Sequence, residues 1–385
     1  MRTESRTSRS RIIDSPEIDH GERRVWLWDV VGVSLAAALA GWIWVSSIAQ
    51  GGDPVPQVLL LIGCAAVYVT SRLVSPFVRF VGPAAVVAAA VIVVINAGGE
   101  TFSRSPFEAP FGYAHFTWAF FAQATIAALM LAAVPGPLLM RVLAGIAALA
   151  LATIPFGTLV AGPAIFASIL LGAFVLGRRP WARVAVIACG VVVALGLLGT
   201  TLLAAQYTGL ERHGGLQALL HATSNRCRGE ECSPSGVEGM ERPLYQALAE
   251  RRVALWHDAV VLLEERPVVG VGPGRFSSKS PIAVADRDEP WAHQEFLQQG
   301  AETGWPGLVL MVLLFGWGFS RLAAVRHPDA VTVLGAVALA LLALHAHLDF
   351  VLHHPAAPIA AAALLGTAAS QPRRRRRRDG RSAGA

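Results

Sequence analysis

The sequence has little charge of either sign and almost no lysine. Only 15% of its 385 residues are charged, whereas 54% are hydrophobic. Soluble domains usually carry about 25% charged residues, so this composition excludes an ordinary soluble enzyme. The mean hydropathy of +0.52 is typical of a chain whose main solvent is lipid. The sequence therefore predicts an integral membrane protein.

The basic residues are nearly all arginines. Lys279 is the single lysine among 32 basic residues. Together with the many alanines and glycines, this bias is typical of GC-rich coding rather than of a nucleic-acid-binding surface. The net charge of +6 therefore predicts no nucleic-acid partner, and the positions of the arginines are more informative than their number.

Ten segments are long and apolar enough to cross a bilayer, which takes about 20 residues. The predicted spans are 25–48, 55–72, 76–96, 113–134, 136–155, 157–177, 183–205, 305–325, 329–349 and 355–371. Proline and glycine in the shortest connections suit tight reversals between antiparallel helices. The expected fold class is all-α: a polytopic membrane protein of about ten transmembrane helices, with a large extracytoplasmic loop that contains short helices.

The arginines predict the orientation, because cytoplasmic loops of membrane proteins are enriched in them. Alternate connections hold Arg2, Arg6, Arg9, Arg11, Arg23, Arg24, Arg72, Arg79, Arg141, Arg178, Arg179, Arg183, Arg321, Arg326, Arg373 to Arg378 and Arg381. The short connections on the other side hold only Arg104. We therefore expect a plasma-membrane protein with both termini in the cytoplasm, and an arginine-rich tail that contacts anionic lipid headgroups.

This topology divides the chain into five parts. They are a cytoplasmic N-terminal tail (1–24), a seven-helix transmembrane part (25–205), an extracytoplasmic loop (206–304), a three-helix transmembrane part (305–371) and an Arg-rich cytoplasmic tail (372–385). A polar connection of nearly a hundred residues is usually functional, so the loop is where we expect the site.

The four cysteines fall into two pairs. Cys64 and Cys189 lie within predicted spans, where we expect small buried apolar residues. Cys227 and Cys232 lie in the extracytoplasmic loop, where a disulfide is favoured over a metal pair. A zinc site would need two more ligands at suitable spacing, and none is obvious.

The loop contains a predicted amphipathic helix over residues 243–265, with Pro243 in its first turn. Arg252 lies on an otherwise apolar stripe that includes Trp256, whereas Arg251 lies on a mixed face. Two interpretations of Arg252 remain open. It is either a snorkelling arginine at the headgroup level or an anion-binding arginine aimed into a cavity at the membrane surface.

A second short helix is predicted over residues 290–304, closed by Gly304 before the eighth span. His293 and Gly300 share a face that we expect to pack on the bundle. A histidine at such a position is by itself more often structural than catalytic. Between the two helices lies the glycine loop, residues 268–276 (VVGVGPGRF). Its N–H groups are able to reach a phosphate, but no Gly-Lys-Ser/Thr follows, so a tight turn is the favoured interpretation.

The order of these segments resembles the O-antigen ligase and O-antigen polymerase family. The segments are Arg252 four residues before Trp256, then RPVVGVGPGRF, then AHQEFLQQGAETGWPG before a span, then the late segment 345–355. The resemblance covers residues 250–310 closely and residues 345–357 more loosely. Each motif alone is weak, whereas four in this order are fairly specific.

The resemblance implies a membrane glycosyltransferase that needs no metal or cofactor. It would move a glycan from a polyprenyl-pyrophosphate carrier to a hydroxyl of the acceptor, at the outer face of the membrane. The acceptor would be a glycan or a lipid. Arg252 would bind the donor pyrophosphate, because a guanidinium stabilises the charge that grows as the glycosidic bond breaks. His293 would take the proton of the acceptor hydroxyl.

Many members of the family that this chain resembles carry a Ser-Arg-Gly-like element near the outer start of a mid-chain span, but residues 156–163 read FGTLVAGP and contain no arginine. We therefore expect the second phosphate contact to come from elsewhere in the loop. The further expected substrate contacts are Arg212, Arg251, Arg275, Glu302 and Asp349.

Two other classes of function stay open at this point. A transporter or flippase for lipid-linked glycans would use the same basic surface, but the predicted spans are almost free of ionisable residues, which disfavours transport. A non-catalytic partner in cell-envelope assembly would need no base. Four histidines near the last turn leave two interpretations open, a zinc site and a hydrated turn. We favour the hydrated turn. The four histidines are His345, His347, His353 and His354.

Overall fold

A computed structural model describes residues 20–98, 110–154, 182–206, 241–285 and 290–370. All the regular secondary structure in these ranges is helical. The helices are α1 (His20–Gln50), α2 (Val55–Val74), α3 (Val81–Ala97), α4 (Ala114–Ala133), α5 (Leu138–Ala152), α6 (Ala182–Gln206), α7 (Glu241–Glu265), α8 (Phe276–Lys279), α9 (Pro281–Ala285), α10 (Glu295–Ala323), α11 (Ala330–Leu348) and α12 (Ala356–Ala369), with a 3₁₀ turn at Val351–His353 between α11 and α12.

The all-helical membrane fold is confirmed. Within the described ranges, α1, α2, α4, α6, α10 and α11 are long and apolar enough to cross a bilayer, and α3, α5 and α12 are shorter apolar helices. These nine helices overlie nine of the ten predicted spans. The tenth, residues 157–177, lies outside the described residues, so the number of spans stays a prediction, as does the orientation.

Helix α11 is the centre of the bundle, and nearly all of its residues are buried. It begins at a capping box, in which Asp329 and Thr332 each bond the other's backbone N–H. Gly335 permits α12 to approach closely, since a Cβ at that position would lie 2.2 Å from the Cβ of Ala368. This packing fixes the C-terminal end of α11, where Asp349 follows directly. We call this end of the bundle the site end.

Helix α10 breaks where the sequence predicted. Gly304 has a φ of 71°, a left-handed value that favours glycine, and Pro306 follows it. The short helix before the break starts at Glu295 rather than at residue 290, because the side chain of Gln294 caps it by accepting a bond from the N–H of Leu297. His293 therefore lies just before α10, at the site end.

The opposite end of the bundle holds a cluster of one acidic and two basic side chains. The expectation that the predicted spans are almost free of ionisable residues is therefore wrong at this end. Asp29 of α1 accepts a 2.8 Å hydrogen bond from Nε of Arg321 in α10 and a 2.6 Å bond from the hydroxyl of Tyr68. Arg72 lies 3.3 Å from the same carboxylate. We had assigned both arginines to loops, but the Arg321 side chain is only 2% exposed, and Arg321 also donates to the carbonyl of Ala369.

Candidate active site

Three ionisable side chains meet at the carboxylate of Asp349, which follows α11. Its Oδ1 lies 3.0 Å from Nδ1 of His293, and its Oδ2 lies 2.7 Å from Nδ1 of His115. The guanidinium of Arg252 approaches the same Oδ2 at 3.9 Å. The Asp349 side chain is 3% exposed, so its charge is compensated mainly by these neighbours.

The four residues come from distant parts of the chain. Arg252 lies on α7, His293 precedes α10, Asp349 ends α11, and His115 is the second residue of α4. The sequence motifs predict the first three as site residues but not His115. No local motif marks that histidine, because its partner is joined to it only by the packing of α4 against α11.

His293 is held firmly. Its φ of 52° lies in the left-handed region, which is costly for a residue other than glycine and is often found at functional sites. Trp256 donates an indole N–H to its carbonyl at 3.4 Å, and the ring of Phe350 packs edge-on against its imidazole. Since Nδ1 faces Asp349, the Nε2 atom is the one available for proton transfer to a substrate.

Arg252 reaches the end of α11 rather than the lipid. Its Nη1 donates to the carbonyl of Leu348 at 3.2 Å, while about a third of the side chain stays exposed. Further along the predicted stripe, Trp256, Ala259 and Leu263 are buried, as an apolar face requires. This geometry favours the anion-binding interpretation over the snorkelling one.

Asp349 is held in its ionised form. Burial alone would raise the pKa of this carboxyl, but the hydrogen bonds from His115 and His293 outweigh burial and hold the pKa below its usual range. An ionised carboxylate keeps the proton of each imidazole on Nδ1 and stabilises any imidazolium that forms. The arrangement thus combines a candidate base, its orienting acid and a guanidinium.

A second acid–base pair lies beside the first. Oε1 of Glu295 lies 3.0 Å from Nδ1 of His353 and accepts a 2.7 Å bond from the N–H of Leu352. Burial lowers the pKa of His353, but the charge and hydrogen bond of Glu295 outweigh it and raise the pKa above its usual value. This pair closes the turn after α11 against α10, and it borders the ring of Phe350.

The expected hydrated histidine turn is only partly right. His345 and His347 are buried inside α11, where each Nδ1 contacts the carbonyl four residues earlier. His353 and His354 do lie in the turn, partly buried. In the part of the chain that the structure describes, no three histidine, cysteine or acidic side chains are grouped as metal ligands would be.

Glu302, an expected substrate contact, instead holds the glycine loop. Its fully buried carboxylate accepts bonds from the N–H groups of Gly274 at 2.9 Å and Phe276 at 3.2 Å, and from Gln57 and Gln298. These loop N–H groups are therefore occupied by protein. The tight-turn interpretation fits this structure, and the phosphate-cradle interpretation does not.

The other expected contacts lie apart from Asp349 or outside the described residues. Arg275 donates to the carbonyl of Gln50 at the end of α1, and its side chain also lies against Gly51 and Gly52. The side chain of Arg251 is not described, although α7 includes its backbone. Arg212 and the predicted disulfide pair, Cys227 and Cys232, lie outside the described residues. Their roles stay predictions.

Aromatic rings and an apolar cavity flank the cluster. Phe350 stacks between Tyr113 and Trp291, at 5.0 and 5.7 Å between ring centroids, and both partners are partly exposed. A cavity of about 190 Å³ runs between α1, α2, α10, α11 and α12. Its walls are mostly apolar, and Glu295 and His353 lie at one end.

Comparison with known proteins agrees with the motifs. The family model described as O-antigen ligase matches residues 146–312, a range that contains Arg252 and His293 but neither His115 nor Asp349. None of the curated proteins matches the chain. The match supports the resemblance that the motifs predict: over less than half of its length, this multi-pass membrane protein is similar to the O-antigen ligase family of membrane glycosyltransferases.

Proposed function

We propose that the chain transfers a glycan from a polyprenyl-pyrophosphate carrier to an acceptor hydroxyl at the outer face of the membrane, without a metal ion. The product would enter cell-envelope polysaccharide. The observation that carries the proposal is the meeting of His293 and Arg252 at one ionised carboxylate, Asp349. Such a group supplies both the base and the cation that the reaction needs.

The acceptor half of the reaction needs a proton acceptor. As the hydroxyl oxygen forms its bond to the anomeric carbon of the donor sugar, its proton passes to Nε2 of His293. Asp349 then faces an imidazolium, whose charge it stabilises at 3.0 Å. A positioned general base of this kind typically contributes about 10²–10⁴ in rate.

The donor half needs a cation at the leaving group. When the bond between the anomeric carbon and the pyrophosphate oxygen breaks, the electron pair leaves with the pyrophosphate. Arg252 is only loosely paired with Asp349 at 3.9 Å, and one of its five N–H donors is used by Leu348. The remaining donors are free to bind phosphate oxygens in a bidentate manner.

The surroundings suit an amphipathic donor. A polyprenyl chain dissolves in the bilayer around the apolar helices, which brings the pyrophosphate to the membrane surface beside the cluster. The partly exposed faces of Tyr113 and Trp291 offer flat surfaces on which a sugar ring can pack.

The proposal is tested by reconstituting the purified full chain in liposomes with a lipid-linked oligosaccharide and a candidate acceptor lipid. We expect a glycosylated acceptor and free polyprenyl pyrophosphate in a one-to-one ratio. If the donor remains intact while every candidate acceptor from the host envelope is supplied, the proposal is wrong.

A second candidate, a transporter of lipid-linked glycans, is favoured by one observation. The buried Asp29, Arg72 and Arg321 cluster resembles the intramembrane charges that mark transport pathways. A transporter would move a labelled lipid-linked glycan between leaflets without cleaving it. The Asp29→Asn substitution would lower the transport activity, and His293→Ala would leave it unchanged. A non-catalytic partner would neither cleave nor move the glycan.

A further inference from the structure

His115 lies outside the residues that match the family model, yet it makes the shortest side-chain contact at the site. Its Nδ1 lies 2.7 Å from Oδ2 of Asp349. Arg252 approaches that same oxygen at 3.9 Å, whereas His293 contacts Oδ1. His115 and Arg252 therefore share one side of the carboxylate, and His293 has the other.

The two sides of Asp349 differ in their access to a substrate. The side chains of His115 and Arg252 are 31% and 35% exposed, whereas the His293 side chain is 8% exposed. Two partly exposed basic groups thus lie next to a buried acid. Because both approach Oδ2 of Asp349, a ligand that binds one of them lies within reach of the other.

The charges around His115 suit an anionic ligand. Asp349 and Arg252 lie beside it, and His293 contacts the other oxygen of Asp349. His345 of α11 is close enough to interact with it electrostatically, and the ring of Tyr113 stacks on its imidazole. Arg252 and the positive end of the α4 dipole place positive potential beside His115, which favours a bound phosphate, and Asp349 is the acid of this group.

The first turn of α4 adds donors at the same place. The N–H groups of a helix start attract phosphate. His115 is the second residue of this helix, so its imidazole lies at the helix start.

Building on the proposed function, we propose that His115, as an imidazolium, is the second phosphate contact of the donor site. Its Nδ1–H stays on Asp349, and its Nε2–H binds an oxygen of the donor pyrophosphate that Arg252 also holds. The pair of His115 and Arg252 thereby supplies two cationic contacts beside one oxygen of Asp349.

The test measures binding of farnesyl pyrophosphate to the full chain in lipid nanodiscs between pH 6.5 and 8.5. We expect the affinity of the wild type to fall as the pH rises, because the imidazolium of His115 is lost. The ligand itself also titrates, but equally for all variants, so the comparison between variants isolates the effect of His115. His115→Gln should weaken binding roughly tenfold to a hundredfold at pH 6.5, as expected for a lost bond to a charged group, and should remove the extra pH dependence. Arg252→Gln should weaken binding but keep that dependence.

Two further variants keep the outcome decisive. His327→Gln, an exposed histidine at the opposite end, should behave as wild type. His115→Arg carries a permanent charge, so it should bind at pH 8.5 as at pH 6.5, and it replaces His115→Gln if that variant does not fold. If the His115 variants keep the affinity and pH dependence of the wild type, the proposed role of His115 is wrong and the proposed function is unaffected. If the wild type binds farnesyl pyrophosphate no better than farnesol, the proposed donor is wrong as well.

Discussion

Replacing Asp349 by asparagine removes the charge that His115, His293 and Arg252 share. The amide keeps the shape of the side chain, but its NH₂ group is a hydrogen-bond donor. It replaces a carboxylate oxygen that accepts a bond from an imidazole N–H. Either His293 then takes the wrong tautomer or its bond at 3.0 Å is lost. A change of this kind in an Asp–His pair costs about 10⁴ in turnover when the histidine is the base, so we expect a loss of about 10²–10⁴. The structural cost should be smaller, about 1–3 kcal/mol for unsatisfied buried groups.

The assay is single-turnover glycan transfer in liposomes, with thermal unfolding measured on the same preparations. Asp329→Asn is the matched control, because Asp329 caps the other end of the same helix and asparagine is an equally good N-cap. Losing the ion pair with Arg79 at 2.6 Å should cost at most about 1 kcal/mol of stability, without slowing transfer. If Asp349→Asn transfers glycan as fast as Asp329→Asn, Asp349 does not orient a catalytic base, and the reasoning above is refuted.

Three further predictions concern other parts of the molecule. Arg252→Lys keeps the charge but not the bidentate geometry, so donor affinity and turnover should fall at least about tenfold; full activity would exclude a bidentate phosphate contact. Gly270→Ala places a Cβ 2.3 Å from the backbone of α10 at a φ of 63° and should lower the unfolding temperature, whereas Gly145→Ala meets no atom within 4 Å and should not. Mass spectrometry of the non-reduced protein should find Cys227 linked to Cys232, worth about 2–3 kcal/mol, and two free thiols would contradict this.

Local signals predicted much of the fold. Long apolar runs set the helices that cross the bundle, and Pro243 indicated the start of α7 within two residues. The break in α10 followed from Gly304 and Pro306, whose backbone preferences need no tertiary information. The apolar stripe of α7 likewise predicted which face is buried.

The missed features depend on packing between distant helices. His115 gave no signal, because its role arises only where α4 meets the end of α11. Asp29 and Arg321 were each interpretable alone as ordinary residues near the ends of spans, and only the crossing of α1 and α10 pairs them. Glu302 was expected at the substrate, whereas its position against the glycine loop makes it the acceptor for that loop.

The central claim is that His293 is the base of a glycosyl transfer, and one comparison tests it most directly. Transfer rate and donor binding are measured for wild type and His293→Ala, on protein shown to be folded and in the membrane. We predict that His293→Ala loses about 10²–10⁴ in transfer rate while its affinity for the lipid-linked donor stays within a few-fold of wild type. Transfer at the wild-type rate by folded His293→Ala would contradict the account.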